Sequence, residues 1–176
     1  MYKKSKFFIL KSFLWYLMSI IWSFVLFSQK KDIEIIPYSF KQLHQETNNT
    51  LTTNKKPILV FLHTPWCNFC EAFKNTTLKN TEVIKALNKH FNFISFNAES
   101  KNDIIFNNNT YRYQPTGKHT GEHEIAKVLI GKNKTVSYPS FIFLNPDLEV
   151  LFQYHSWMNP QDFLKVLHTI SSIHTP

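Results

Sequence analysis

The only two cysteines of the chain stand three residues apart in Thr64-Pro65-Trp66-Cys67-Asn68-Phe69-Cys70. Thiols at this spacing can store two electrons when reduced and release them as a disulfide forms. The apolar run Pro57-Ile58-Leu59-Val60-Phe61-Leu62 leads straight into them. This predicts a buried strand that ends at the motif and a helix that begins there. A cysteine at a helix N-terminus faces unpaired backbone N–H groups and the positive end of the helix dipole, so its ionised form is favoured. In CxxC pairs placed this way the thiol pKa falls from about 8.5 to roughly 3.5–7.5. Cys67 is therefore expected to be the exposed, attacking sulfur. Cys70, one turn further on and more buried, is expected to resolve a mixed disulfide by intramolecular attack.

The pair admits two other readings. A zinc site needs two further Cys or His ligands, and only His119 and His123 offer a partner spacing. Gly117 and Gly121 oppose a continuous helix there, which puts His123 in a first turn after a Thr120 or Gly121 cap, and no metal is expected. An inert structural disulfide closing so small a loop would remove little unfolded-state entropy. Redox chemistry leads, and it requires no dissociable cofactor because the electrons reside on the sulfurs. Two neighbours could modulate the thiols. His63 ends the strand four residues before Cys67 and would stabilise a thiolate or relay a proton if it faces the site. Glu71 would oppose thiolate formation if it points inward.

A second signal lies downstream in Ser137-Tyr138-Pro139-Ser140-Phe141-Ile142-Phe143-Leu144, where a proline opens a β-branched and aromatic run. Alone it would be an ordinary strand-entry proline. Taken with the strand at 57–62, the motif Trp66-Cys67-Asn68-Phe69-Cys70 and Tyr138-Pro139, the chain resembles the thioredoxin superfamily over roughly residues 33 to 173. The resemblance implies an α/β thioredoxin fold, a central mixed sheet with helices on both faces, and a cis Pro139 beside the CxxC. It also implies that Trp66, Tyr138 and Pro139 frame a docking surface, with Tyr138 lending backbone groups to a client chain. The stretch after Cys70 looks more like extracytoplasmic thioredoxin-like domains, such as the C-terminal domain of membrane thiol-reductant conductors. Three features depart from cytosolic thioredoxin: Phe61 replaces its buried aspartate, Asn68-Phe69 replaces Gly-Pro, and Glu71 follows the second cysteine.

The N-terminus bears on the compartment. Lys3, Lys4, Lys6 and Lys11 precede an uncharged apolar stretch from Ser12 to Phe27, followed by Ser28-Gln29-Lys30-Lys31. A basic region, an apolar region and a small residue at Ser28 read as a signal peptide or an uncleaved membrane anchor over 1–28. The basic flank keeps the N-terminus cytoplasmic. The domain at 29–176 is then expected outside the cytoplasm, periplasmic or anchored facing the periplasm, where a CxxC protein needs a soluble or membrane redox partner for recycling.

Net charge is +8, but four of those charges belong to the leader. Lys74, Lys79, Lys85 and Lys89 fall at helical spacing and read as a solvated face, so no nucleic-acid partner is expected. About 150 residues after the leader are enough for one domain. Its elements are expected as a strand at 33–36, an amphipathic helix at 39–47, the strand at 57–63, the CxxC helix from Cys67 to Lys79, a Thr81-capped helix to Lys89, and a strand at 91–96. A hairpin pairs 140–144 with 149–154, and a last helix is capped by Asn159. The stretch 98–137 exceeds the minimal framework, as an insertion with an Asn-rich loop and a helix at 122–130 that either shapes substrate choice or is a tolerated surface excursion.

The expected function is thiol–disulfide exchange on protein cysteines outside the cytoplasm, a narrow reductant of haem-attachment thiols being one variant. The alternative is a non-enzymatic thioredoxin-fold binding module that uses the insertion as its contact surface.

Overall fold

A computed structural model describes residues 33–48, 56–131 and 134–174. The chain divides into the units Met1–Ile33 and Glu34–Pro176, and every element below belongs to the second. The leader and the polar loop after residue 48 lie outside the described residues. Among those described, no helix is long and apolar enough to cross a membrane.

The architecture follows from one strand. β1 (Ile58–His63) is buried from Ile58 to Leu62, which explains its unbroken apolar sequence: a strand covered on both faces needs apolar side chains at every position. β2 (Asn92–Asn97) runs parallel on one side of it. On the other, β7 (Ser140–Leu144) pairs antiparallel with β1, and β8 (Val150–Tyr154) extends the sheet to the order β2-β1-β7-β8. Alternation divides the core. Leu59, Phe61, Phe141 and Phe143 face one cluster, while Ile58, Val60, Leu62, Ile142 and Leu144 face the other.

The first cluster is closed by α2 (Asn68–Asn75), α3 (Thr81–His90) and α5 (Pro160–His174), which contribute Phe73, Leu87 and Phe163. The second is closed by α1 (Phe40–Asn48) and α4 (Glu124–Ile130), through Phe40, Leu43, Ile125 and Leu129. This is the expected α/β thioredoxin fold, a mixed sheet with helices on both faces. Asn159 caps α5 as its sequence suggests. Its Oδ1 accepts from the Asp162 N–H at 2.9 Å, and its Nδ2 donates to the Asp162 carboxylate at 2.8 Å.

Several expectations are corrected. Residues 33–36 form no strand. The segment is held instead by Asn88, whose Oδ1 accepts from the Ile36 N–H at 2.7 Å and whose Nδ2 donates to the Glu34 carbonyl at 2.7 Å. Asn80, not Thr81, caps α3, accepting from the N–H groups of Glu82 and Val83. The CxxC helix ends at Asn75 and continues only as a 3₁₀ turn at Thr77–Lys79. Within the 98–137 stretch the Asn-rich loop is the turn of a hairpin, β3 (Ile104–Phe106) with β4 (Asn109–Tyr111). Asn107 and Asn108 both take positive φ, 47° and 59°, as a two-residue hairpin turn requires. A second hairpin, β5 (Tyr113–Pro115) with β6 (Gly121–His123), feeds directly into α4.

Candidate active site

β1 delivers the chain to the site, and a turn converts strand into helix. The Cys67 N–H donates to the Thr64 carbonyl at 3.3 Å. Cys67 keeps extended backbone angles, φ −81° and ψ 98°, and is the N-cap of α2. Its Sγ accepts the Cys70 N–H at 3.1 Å, and its carbonyl accepts the N–H groups of Cys70 and Glu71. The sulfur thus occupies the place of a capping oxygen, facing the positive end of the helix dipole.

Cys67 and Cys70 are joined by a disulfide, with their Cα atoms 5.2 Å apart. Both cysteines are buried in the disulfide, Cys70 fully and Cys67, expected to be exposed, to all but 5%, because the closed pair packs against the first core cluster. Only Cys67 touches solvent, so an incoming sulfur meets it first. Trp66 and Phe69, on either side of Cys67, are 65% and 67% exposed. Two large apolar side chains held in water beside a redox pair form a surface suited to an apolar chain.

The Tyr138–Pro139 peptide is cis. Tyr138 packs on both core clusters and stands edge-on to Trp66, with ring centroids 5.9 Å apart. Of the expected docking residues, Trp66 and Tyr138 are thus in ring contact, and Trp66 directly precedes Cys67. Each ring is held by a carboxylate that sequence reasoning missed. The Trp66 indole N–H donates to Glu99 at 2.9 Å, and the Tyr138 hydroxyl donates to Glu122 at 2.7 Å. Both acids come from the 98–137 stretch, and no local sequence signal marks them because their partners are set by tertiary register. The loop has another tie: Ser140 Oγ donates to the Ser137 carbonyl at 2.5 Å and meets His155 Nδ1 at 2.9 Å.

His63, Glu71 and Lys74 form a separate group. Lys74 Nζ donates to Glu71 at 2.8 Å and lies 3.3 Å from His63 Nδ1. Burial, with the Lys74 ammonium alongside, pushes the His63 pKa down to about 4. The imidazole is then neutral at pH 7, with Nδ1 accepting from lysine, and brings no positive charge to Cys67. Glu71 is half-exposed, and its bond to Lys74 holds its carboxyl below the usual range. That ion pair offsets the negative charge Glu71 adds beside the cysteines.

Among the described residues no group of three or more acidic, His or Cys side chains is placed to hold a metal. His123 is itself the cap expected of Thr120 or Gly121. Its buried Nδ1 accepts the Ile125 N–H at 3.2 Å, which leaves Nε2 to donate to the Asn102 carbonyl at 3.0 Å. Phe61, where cytosolic thioredoxin carries its aspartate, stacks on Phe141 and packs against Phe73. That position serves the core here.

The arrangement supports reversible dithiol–disulfide chemistry on a thioredoxin scaffold. The sequence profile of the thioredoxin-like domain family matches residues 43–171, and the chain belongs to that family. Among solved structures it is similar to a thioredoxin-fold protein from Helicobacter pylori, with 22% identity and a TM-score of 0.53 over 69% of this chain and 73% of that one. It is similar also to a thioredoxin from Thermus thermophilus, at 18% identity and 0.52 over 78% and 87%. A DsbH oxidoreductase aligns at 14% identity and 0.50 over 84% and 93%. No curated protein sequence matches the chain.

Proposed function

We propose that the protein is an exported thiol–disulfide oxidoreductase that acts on cysteines of other proteins outside the cytoplasm. The observation that carries this reading is the asymmetry of the pair, with Cys67 capping α2 and still 5% open to solvent and Cys70 wholly enclosed. In the oxidised state a client thiolate attacks Cys67 Sγ, forming a mixed disulfide and expelling the Cys70 thiolate. A second client thiolate then attacks the client sulfur, and Cys67 leaves as a thiolate. The client gains a disulfide and the protein gains two electrons. Run in reverse, the Cys67 thiolate opens a client disulfide and Cys70 closes on Cys67, returning the electrons. The Cys70 N–H aimed at Cys67 Sγ would stabilise that thiolate in either direction.

Trp66, Tyr138 and Pro139 seat the client, and a soluble or membrane-bound redox partner recycles the pair. His63 and Glu71 act on the pair only through the Lys74 group. Residues 1–28 deliver or tether the domain on the far side of the membrane, periplasmic or anchored facing the periplasm. Their basic-then-apolar sequence supports this.

The test is stoichiometric exchange with a disulfide-bonded client protein, followed by mass spectrometry of both partners. One client disulfide is expected to open for each Cys67–Cys70 pair that closes, and Cys67→Ser is expected to abolish the exchange. Full exchange by Cys67→Ser would contradict the proposal.

A further inference from the structure

We propose that Glu122 is a positioning residue for client binding: by holding the Tyr138 hydroxyl it fixes the aromatic wall beside Cys67. The inference rests on the exchange reading above and assigns the 98–137 stretch a part in it.

The Tyr138 hydroxyl donates to Glu122 Oε1 at 2.7 Å, and the other carboxylate oxygen lies 3.9 Å from Lys127 Nζ. Only 20% of the Glu122 side chain is exposed, so this charged hydrogen bond is partly shielded from water. Burial, with that carboxylate alongside, pushes the Tyr138 pKa up, and the hydroxyl remains a donor at working pH.

The hairpin that carries Glu122 is locked in register. Gln114 pairs with Glu122 across β5 and β6. A Cβ at Gly121 would overlap the Tyr113 ring and the Gln114 carbonyl. The Glu124 carboxylate accepts from the Arg112 N–H and from Gln114 Nε2, both at 2.7 Å. The His123 N–H donates to the Ala98 carbonyl at 2.7 Å, tying the hairpin to the end of β2. Pairing with Gln114, the two bonds to Glu124 and the His123–Ala98 bond thus hold the strand at and just after the residue that holds Tyr138. That ring stands edge-on to Trp66, so losing the bond frees one wall of the client's seat while leaving the sulfurs in place.

The test compares Glu122→Ala, Glu122→Gln and Tyr138→Phe in the full chain. A disulfide-bonded client protein is one substrate, and oxidised glutathione, too small to need the wall, is the other. Glu122→Ala is expected to raise KM for the protein client about fivefold or more, the weight of one charged hydrogen bond. Its kcat and its rate with glutathione should be unchanged. Glu122→Gln keeps an acceptor and is expected to restore most of the KM. The Glu122→Ala/Tyr138→Phe double variant should be no worse than either single one, because both remove the same bond.

Hydroxyl-radical footprinting supplies a readout independent of activity: Glu122→Ala should raise modification of Tyr138 and Trp66 at least twofold. An unchanged footprint, or equal losses with both substrates, would overturn the proposal. A wild-type chain inactive on both disulfides would count against the exchange reading instead, and the footprint would still decide whether Glu122 sets the rings.

Discussion

Two sulfurs in one motif differ because a single helical turn encloses one completely and leaves the other a narrow opening to solvent. Cys70 is enclosed with Phe73 and Phe61, whereas Cys67 caps the helix between exposed Trp66 and Phe69. Removing the resolving thiol should therefore arrest exchange halfway. Cys70→Ser is expected to accumulate a mixed disulfide between Cys67 and client, visible as a reducible adduct by non-reducing electrophoresis. Cys67→Ser should form none, and an adduct through Cys70 would reverse the roles.

His63 gives a pH prediction. Its pKa is about 4 when folded, against 6.5 as the ordinary value. Below 6.5 the unfolded chain takes up a proton that the folded one refuses, so stability is complete above that pH and falls as pH drops through 4. His63→Gln, which cannot titrate there, should flatten the pH dependence of the urea midpoint between 6.5 and 4. An unaltered slope would show that His63 is not the group responsible.

The elements show how far local sequence reaches. β1 and β7 are legible because strands buried on both faces carry long apolar runs, Ile58–Leu62 and Phe141–Leu144, and α5 because Asn159, Pro160 and Asp162 spell a helix start. The hairpin at Asn107–Asn108 was missed because two asparagines with positive φ read as a polar loop unless the turn type is considered. Residues 33–36 look like a strand, yet Asn88, more than fifty positions away, satisfies their backbone. The site was legible in its sulfurs, Trp66 and Tyr138-Pro139, which belong to continuous motifs. Glu99 and Glu122 were not, since their partners arrive by tertiary packing.

Two changes test this level. Asn80→Ala removes the oxygen that caps α3 and is expected to cost about 1 kcal/mol in chemical denaturation; no loss would mean that water replaces the cap. Phe61→Ala opens a hole between Phe73 and Phe141 and should cost about 3–5 kcal/mol. A much smaller loss would show that the core collapses to fill it.

At the scale of the whole molecule, the proposed export would tie the redox chemistry to a compartment. A protein disulfide couple is recharged only by a partner, and outside the cytoplasm disulfides persist. Fusing residues 1–32 to a reporter that is active only after export should give activity, and replacing Lys3, Lys4, Lys6 and Lys11 by glutamate should reduce it. A reporter that stays inactive would remove the export reading without touching the sulfur chemistry.

The most direct test of the central claim is the reduction potential of the Cys67–Cys70 pair, read by thiol alkylation across a redox-buffer series. The account predicts a reversible two-electron transition with a midpoint between about −120 and −270 mV, the range of exchange-active pairs. Cys67 should be alkylated in the folded, reduced protein. A pair still oxidised well below about −300 mV, or thiols inaccessible until the chain unfolds, would contradict it and leave the disulfide as a structural staple of a binding domain.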